Sequence, residues 1–357
     1  MMMNRIDRYI TRHVLGAIFI VMLVIVGLDL LFTLVDQLPD LTPSYQFKDA
    51  LYYVAMTGPR RLYEHIPLCS LIGCLLGLGT LATTSELTVM RAAGVSTFRI
   101  ITAVMKPVLV VILGALLLGE YVVPKSEQEA QSYRTITIAG GRVGSTSLGQ
   151  GLWHREGRTF LHVETISLKG EVHGVTRYQF DENWALSNAS VASTGTFTGD
   201  GWLLNNVVET QFLGESTQVE QRPTEQWISG MTPSLLSTLI MEPSNLSISG
   251  LYTYSDYLGE QGLSAADYEV AFWGKVLQPL SIMGLVLVAV SFIFGPLRSV
   301  TVGQRLIAGV IVGLVFKLMQ DLLGPASTVY GLAPILGVTV PIALSFLIGW
   351  RLLRRAG

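Results

Sequence analysis

Six apolar stretches constrain this chain more than anything else in it: residues 14–35, 66–84, 100–123, 271–294, 306–323 and 332–350. At about 1.5 Å of rise per helical residue, each can cross a hydrocarbon core of roughly 30 Å. Half of the residues are hydrophobic and only 14% are charged, where a soluble domain carries about a quarter. With a mean hydropathy of +0.48, this excludes an ordinary soluble enzyme. Arg5, Arg8 and Arg12 precede the first stretch and no small-residue cleavage site closes it, so it reads as a retained anchor. The moderate helical periodicity of 47–58, with Pro59 permitting a kink, extends the second span into a long helix that begins outside the bilayer.

Arginine and lysine near short loops favour the cytoplasm. One side collects Arg5, Arg8, Arg12, Arg91, Arg99, Arg298, Arg305, Arg351, Arg354 and Arg355, while the opposite short connections hold only Lys48, Arg60 and Arg61. Both termini are thus expected inside, and the segment between spans three and four outside. That segment, 124–269, has 8 Lys/Arg against 17 Asp/Glu, a net of −9; the rest has 16 against 9, a net of +7. The two parts therefore meet different surroundings.

Short β-prone runs such as RTITIA, TFLHVETISL, HGVTRYQF, ALSNASVAS and GTFTG alternate there with turns at 155–157, 168–170, 181–183 and 199–201. Their spacing predicts an antiparallel sandwich or jelly roll, in which apolar side chains such as Phe160, Val163, Ile166 and Leu168 would partly line an apolar interior. Residues 231–257 read as a mixed connector with short helices. The organisation is transmembrane helices one to three over 1–123, the β domain and its connector over 124–269, and helices four to six over 270–357.

No catalytic signature accompanies this plan. The P-loop pattern is absent, since the sole Gly-Lys pair, Gly274-Lys275, is followed by Val276. There is no G-x-S-x-G, the five histidines lack metal-ligand spacing and the two cysteines, Cys69 and Cys74, lie inside an apolar run. No cofactor is called for, and energy for transport would come from a partner or an ion gradient. His154, His162 and His173 read as surface or packing residues.

The loop over 85–96, SELTVMRAAGVS, is unusual. Ser85 suits an N-cap, Glu86 the first turn, and Gly94 the end of a short helix on which Leu87, Met90 and Arg91 fall at helical spacing. Such a helix suits an interfacial anchor for the loop, and also contact with a soluble motor. Ionisable groups within spans are costly in lipid and so mark function. Lys317 and Asp321, four apart, suit a local ion pair. Asp29, Glu64, His65, Glu120 and Lys275 fall towards the external half of their spans. Arg60 and Arg61 follow Pro59 at an external mouth, where guanidinium groups suit a phosphate-bearing substrate or native lipid headgroups. Arg60, Arg61, Glu64 and Lys317 are the candidate substrate-binding residues.

Arg8-Tyr9-Ile10, Val35-Asp36-Gln37-Leu38, the loop SELTVMRAAGVS, the run SFIFGPLR and Gly324-Pro325 with Val329-Tyr330-Gly331 occur in order along nearly the whole chain. Together they resemble the lipopolysaccharide-export permeases of the LptF/LptG (YjgP/YjgQ) family, with LSISGL at 246–251 and FGPLRSV nearer the LptG branch. The resemblance implies a non-catalytic half of an ABC transporter in the bacterial inner membrane, with six spans and a periplasmic β-jellyroll. Its partners would be an LptF-like paralogue, an LptB-like ATPase dimer and the single-span protein LptC, and its substrate lipopolysaccharide passed to a periplasmic bridge. It makes the 85–96 loop the coupling helix, with Glu86, Leu87, Met90 and Arg91 at the ATPase. Where some relatives carry a lysine one turn before Val-Asp-Gln-Leu, this chain has Thr33, which leaves Arg60 and Arg61 the better substrate contacts. An ion-coupled secondary transporter and a membrane-tethered scaffold remain the competing classes.

Overall fold

The computed structural model describes residues 5–138, 152–166, 170–214, 216–229, 231–233, 242–260, 264–295 and 300–356. Ten α-helices and six strands are described: α1 (Arg5–Asp36), α2 (Phe47–Thr83), α3 (Glu86–Ala92), α4 (Thr97–Leu117), α5 (Val123–Ile138), α6 (Ile248–Glu260), α7 (Ala266–Val276), α8 (Gln278–Phe294), α9 (Val302–Val329) and α10 (Pro334–Ala356), with β1–β6 between α5 and α6. Five helical stretches are long and apolar enough to cross a membrane, and α7 with α8 makes a sixth if the bent pair is one span. The fourth stretch is thus carried by two helices, α7 and α8. It bends by 52° at Leu277, because Pro279 sits in the first turn of α8 and has no N–H to carry the preceding helix through.

Two compact units emerge, one of residues 1–32, 58–123 and 247–357 and one of 33–57 and 124–246. In the helical unit, α2 runs unbroken through Pro59 and Pro67, as its periodicity suggested. Its neighbours approach closely where glycine allows. A Cβ on Gly73 would lie 2.5 Å from the Ile18 Cα, and one on Gly119 2.6 Å from the Tyr63 ring. Gly119 belongs to a π-helical turn, Leu118–Val122, between α4 and α5; such turns often mark functional positions. Arg305, one of the arginines counted at the cytoplasmic flank, is 1% exposed and donates to the Gly79 carbonyl at 2.6 Å and to Thr83 Oγ1 at 2.9 Å. A guanidinium can be buried here because α2 supplies these acceptors.

The other unit corrects the first β-prone run. Residues of RTITIA continue α5 to Ile138. β-Branched propensity is overridden because α5 prolongs a helix already formed and is tied along its length to 33–57. Tyr133 donates to Asp49 at 2.7 Å, Gln131 to Tyr53 at 3.2 Å, and Arg134 to Asp40 at 2.6 Å and Gln37 at 3.0 Å.

The strands form one antiparallel sheet in sequential order, a meander. They are β1 (Leu152–Glu156), β2 (Thr159–Ile166), β3 (Val172–Phe180), β4 (Leu186–Phe197), β5 (Trp202–Phe212) and β6 (Thr217–Trp227). The turns expected at 155–157, 181–183 and 199–201 join them, and the two runs ALSNASVAS and GTFTG fuse into β4. One face buries Leu161, Val163, Val172, Val175, Ala192, Trp202, Leu204 and Val207. Phe160 and Val163 fall on opposite faces, because three residues apart is an odd step in a period of two. Val163 is buried in the core, while the Phe160 ring packs edge-on against Phe180. Leu168 and the turn residue Lys169 lie outside the described residues. His154 is buried in β1, and burial lowers its pKa below the usual imidazole range, in keeping with a packing residue.

A crease crosses this sheet. Each neighbouring pair along the line Glu164, Gly174, Ser193, Asn206 and Pro223 is missing from the ladder, as is the adjoining pair of Ala192 and Val207. Gly174 (φ +64°) and Asn206 (φ +54°) turn left-handed in mid-strand, and Pro223 has no N–H to offer. Such interruptions let a sheet curl.

Candidate functional site

Three groups of side chains in the helical unit hold the residues singled out by sequence. The first is α3. Helix α2 ends at Thr83 and leaves only Thr84 and Ser85 before α3, so Ser85 turns left-handed (φ +62°) and its side chain makes no capping bond, contrary to expectation. The C-terminal signal holds. Gly94 takes φ +88°, the Val95 N–H reaches the Met90 carbonyl and the Gly94 N–H the Arg91 carbonyl, a Schellman closure. Leu87 is 4% exposed within the helical core and Met90 packs against that core. These two residues anchor α3, whereas Val89 and Phe98 are exposed. Arg91 lies over the Phe294 ring at 5.8 Å. Glu86 accepts from Tyr9 and, at 2.9 Å, from Thr84; these bonds, with His13 nearby, hold its carboxyl below the usual range.

The second group gathers most of the candidate substrate residues. Arg61 donates to Asp29 at 2.7 Å, joining α2 to α1, and His65 Nε2 lies 3.4 Å from the same carboxylate. Arg60 and Glu64 pair within α2 at 3.9 Å. Two guanidinium groups thus face two carboxylates one helical turn or one helix away, and the cluster is close to neutral when His65 is. Lys317 is not part of it: it pairs with Asp321 at 2.9 Å on an exposed face of α9, the local pair its spacing suggested.

The third group was not assembled by sequence reasoning. Lys275 is 5% exposed and lies 5.3 Å from the centre of the Tyr63 ring, while that ring covers Gly119. The next residue, Glu120, accepts from the Ile248 N–H at 2.8 Å and Ser249 Oγ at 2.5 Å, capping α6 from the π turn. The available signal was the pair of ionisable residues in apolar spans, but it named no partners. Among the described residues, no cluster of three or more His, Cys, Asp or Glu could hold a metal.

This geometry, a helical membrane unit with an inserted antiparallel sheet and a short helix between the second and third spans, agrees with the comparisons. The model of the family "Lipopolysaccharide export system permease LptF/LptG" matches residues 8–355. The chain is 34% identical to the lipopolysaccharide export system permease protein LptG of Haemophilus influenzae, covering 99% of each chain. It is 37% identical to the protein of the same name from Escherichia coli K12, covering 98% of each. With the match running along nearly all of both partners, this chain belongs to the LptF/LptG family of lipopolysaccharide export system permeases.

Proposed function

We propose that this permease is one transmembrane half of an ATP-driven machine that draws lipopolysaccharide from the inner membrane and passes it to a periplasmic bridge. It would act with an LptF-like paralogue, an LptB-like ATPase dimer and an LptC-like single-span protein. The bent α7–α8 pair counts as one span in this reading, giving six, with both termini cytoplasmic. The creased sheet is the periplasmic jelly roll, curled open along its line of missing pairs. Arginine bias supports the orientation. Single cysteines at Asp200 and Tyr330 should then react with an impermeant thiol reagent from the periplasm and one at Ser299 should not; the reverse pattern would invert the topology. The native Cys69 and Cys74 are buried and leave the background low.

The observation that carries the coupling assignment is the build of α3. A seven-residue helix is too short to persist by itself, yet this one is closed at its C-terminus and pinned by Leu87 and Met90, so that Glu86 and Val89 are presented on a fixed support. That is what transmission of a push from an ATPase requires. Leu87 and Met90 hold the helix to the permease, and Glu86 meets a cation on the motor. Glu86→Lys reverses the charge at the surface and leaves the two anchors in place. Lipid-stimulated ATP hydrolysis of the reconstituted complex should fall by roughly tenfold or more, with the permease still folded. Full activity and full ATPase retention in that variant would remove α3 from the coupling path.

Arg60 and Arg61 belong to the substrate reading in a modified form. Their charges are already answered by Glu64 and Asp29, so a lipopolysaccharide phosphate would engage Arg61 in competition with Asp29. Lys317 and Asp321, exposed on α9, would meet the substrate as a pair.

A further inference from the structure

Two adjoining hollows flank α6 and α7. One, about 340 Å³, is lined by Tyr252, Ser255, Asp256, Glu269, Phe272 and Trp273. Its rings stand at angles that make walls, with Phe272 and Trp273 5.3 Å apart at 77° and Tyr252 and Phe272 6.2 Å apart at 46°. Among the described residues, the Asp256 and Glu269 carboxylates have neither an ion pair nor a hydrogen bond. The other hollow, about 550 Å³, shares Tyr252 and Phe272 and continues along Leu116, Leu117 and Tyr121 of α4 and the π turn. Glu120 also borders it, but both its oxygens are engaged by Ile248 and Ser249.

We propose that these hollows are one binding site for a zwitterionic phospholipid whose headgroup ends in an ammonium. The shapes and chemistries fit an amphiphile laid across them. The smaller hollow offers three aromatic rings and two carboxylates without a partner among the described residues, and a cation is attracted both by carboxylate charge and by the negative face of a ring. The larger is apolar and suits the upper part of an acyl chain. Its position fits as well: α7 is the first arm of a bent span and begins with Asp267 and Glu269 in its first turn, which places the aromatic residues near the water boundary where tyrosine and tryptophan collect. The one lysine of α7, Lys275, is buried against Tyr63 and is not turned to this hollow. Among the described lining residues, an anionic headgroup would therefore meet two carboxylates and no cation. A lipid seated here would brace the bend between α7 and α8 against α4, a contact separate from the Arg60 to His65 cluster and independent of what the transporter carries.

The test is native mass spectrometry of the full chain in detergent, offered an equal mixture of phosphatidylethanolamine and phosphatidylglycerol with identical acyl chains. The ethanolamine lipid should be retained over the glycerol lipid by about fivefold or more. In Asp256→Asn with Glu269→Gln, which preserves size and polarity, that preference should vanish while the protein keeps its helical content. Equal retention of the two lipids by the parent, or a preference unchanged in the double variant, would overturn the site.

Discussion

Trp202→Ala should lower the stability of the sheet unit by about 3–5 kcal/mol, the usual cost of emptying a buried aromatic position. Trp202 opens β5 with no exposed surface, and its ring meets Phe197 edge-on at 5.3 Å. Its Nε1 donates to the Met231 carbonyl at 2.7 Å, so truncation also leaves a buried acceptor without its donor. Two losses coincide, a cavity and a broken tie between the end of the sheet and the segment after β6. Trp202→Phe separates them, since it keeps most of the volume and loses the hydrogen bond; it should cost about 1–3 kcal/mol. Hydrogen exchange on the full-length protein reads both, as faster exchange of the β4, β5 and β6 amides with the helical unit unchanged. Unaltered protection of β5 in the alanine variant would mean that the sheet is held by its ladders and not by this core.

Asp29→Asn should cost about 1.5–3 kcal/mol, the range for hydrogen bonds to charged groups, and should release Arg61. The pair spans α1 and α2 at 2.7 Å with side-chain exposures of 18% for Arg61 and 28% for Asp29. It is sheltered enough to exceed a surface ion pair and wet enough to fall short of a fully buried one. Arg61→Gln should cost a similar amount, and the double variant less than the sum, because each single change leaves the other charge without its partner. Thermal unfolding in detergent at constant pH gives the cycle; additive losses would show that the contact contributes nothing as a pair. The same variants bear on substrate capture. If phosphate competes with Asp29, then Asp29→Asn binds lipopolysaccharide more tightly and Arg61→Gln more weakly. Weaker binding in both would make the pair a helix clasp alone.

These two sites differ in how far a reader of the sequence could reach them. Trp202 could be placed in a strand after the Gly199-Asp200-Gly201 turn, because alternation and turn chemistry are local. The helical spans, the anionic insert and the short helix ended by Gly94 were legible for the same reason: lipid, a period of two and a left-handed glycine each act on neighbouring residues. Family membership was legible too, since ordered motifs survive along the whole chain. Asp29 and Arg61 could be flagged as charges in apolar surroundings, but not paired, because nothing in either stretch specifies which helix lies beside it.

What the sequence determined by itself is therefore the apolar stretches, the strand-and-turn rhythm of most of the insert and the short helix ended by Gly94, which hydropathy, alternation and turn chemistry dictate segment by segment. Tertiary structure decided the rest. It turned the β-branched end of α5 into helix through Tyr133 and Arg134, and it buried Arg305, one of the flank arginines, because Gly79 left room and an acceptor. It put Phe160 and Val163 on opposite faces and aligned Gly174, Asn206 and Pro223 into a single crease. It also converted two candidate substrate arginines into members of ion pairs. Each of these outcomes depends on a partner distant in sequence, and the free energy of a charge or a close contact is set by what lies within a few ångströms of it, which only the folded arrangement supplies.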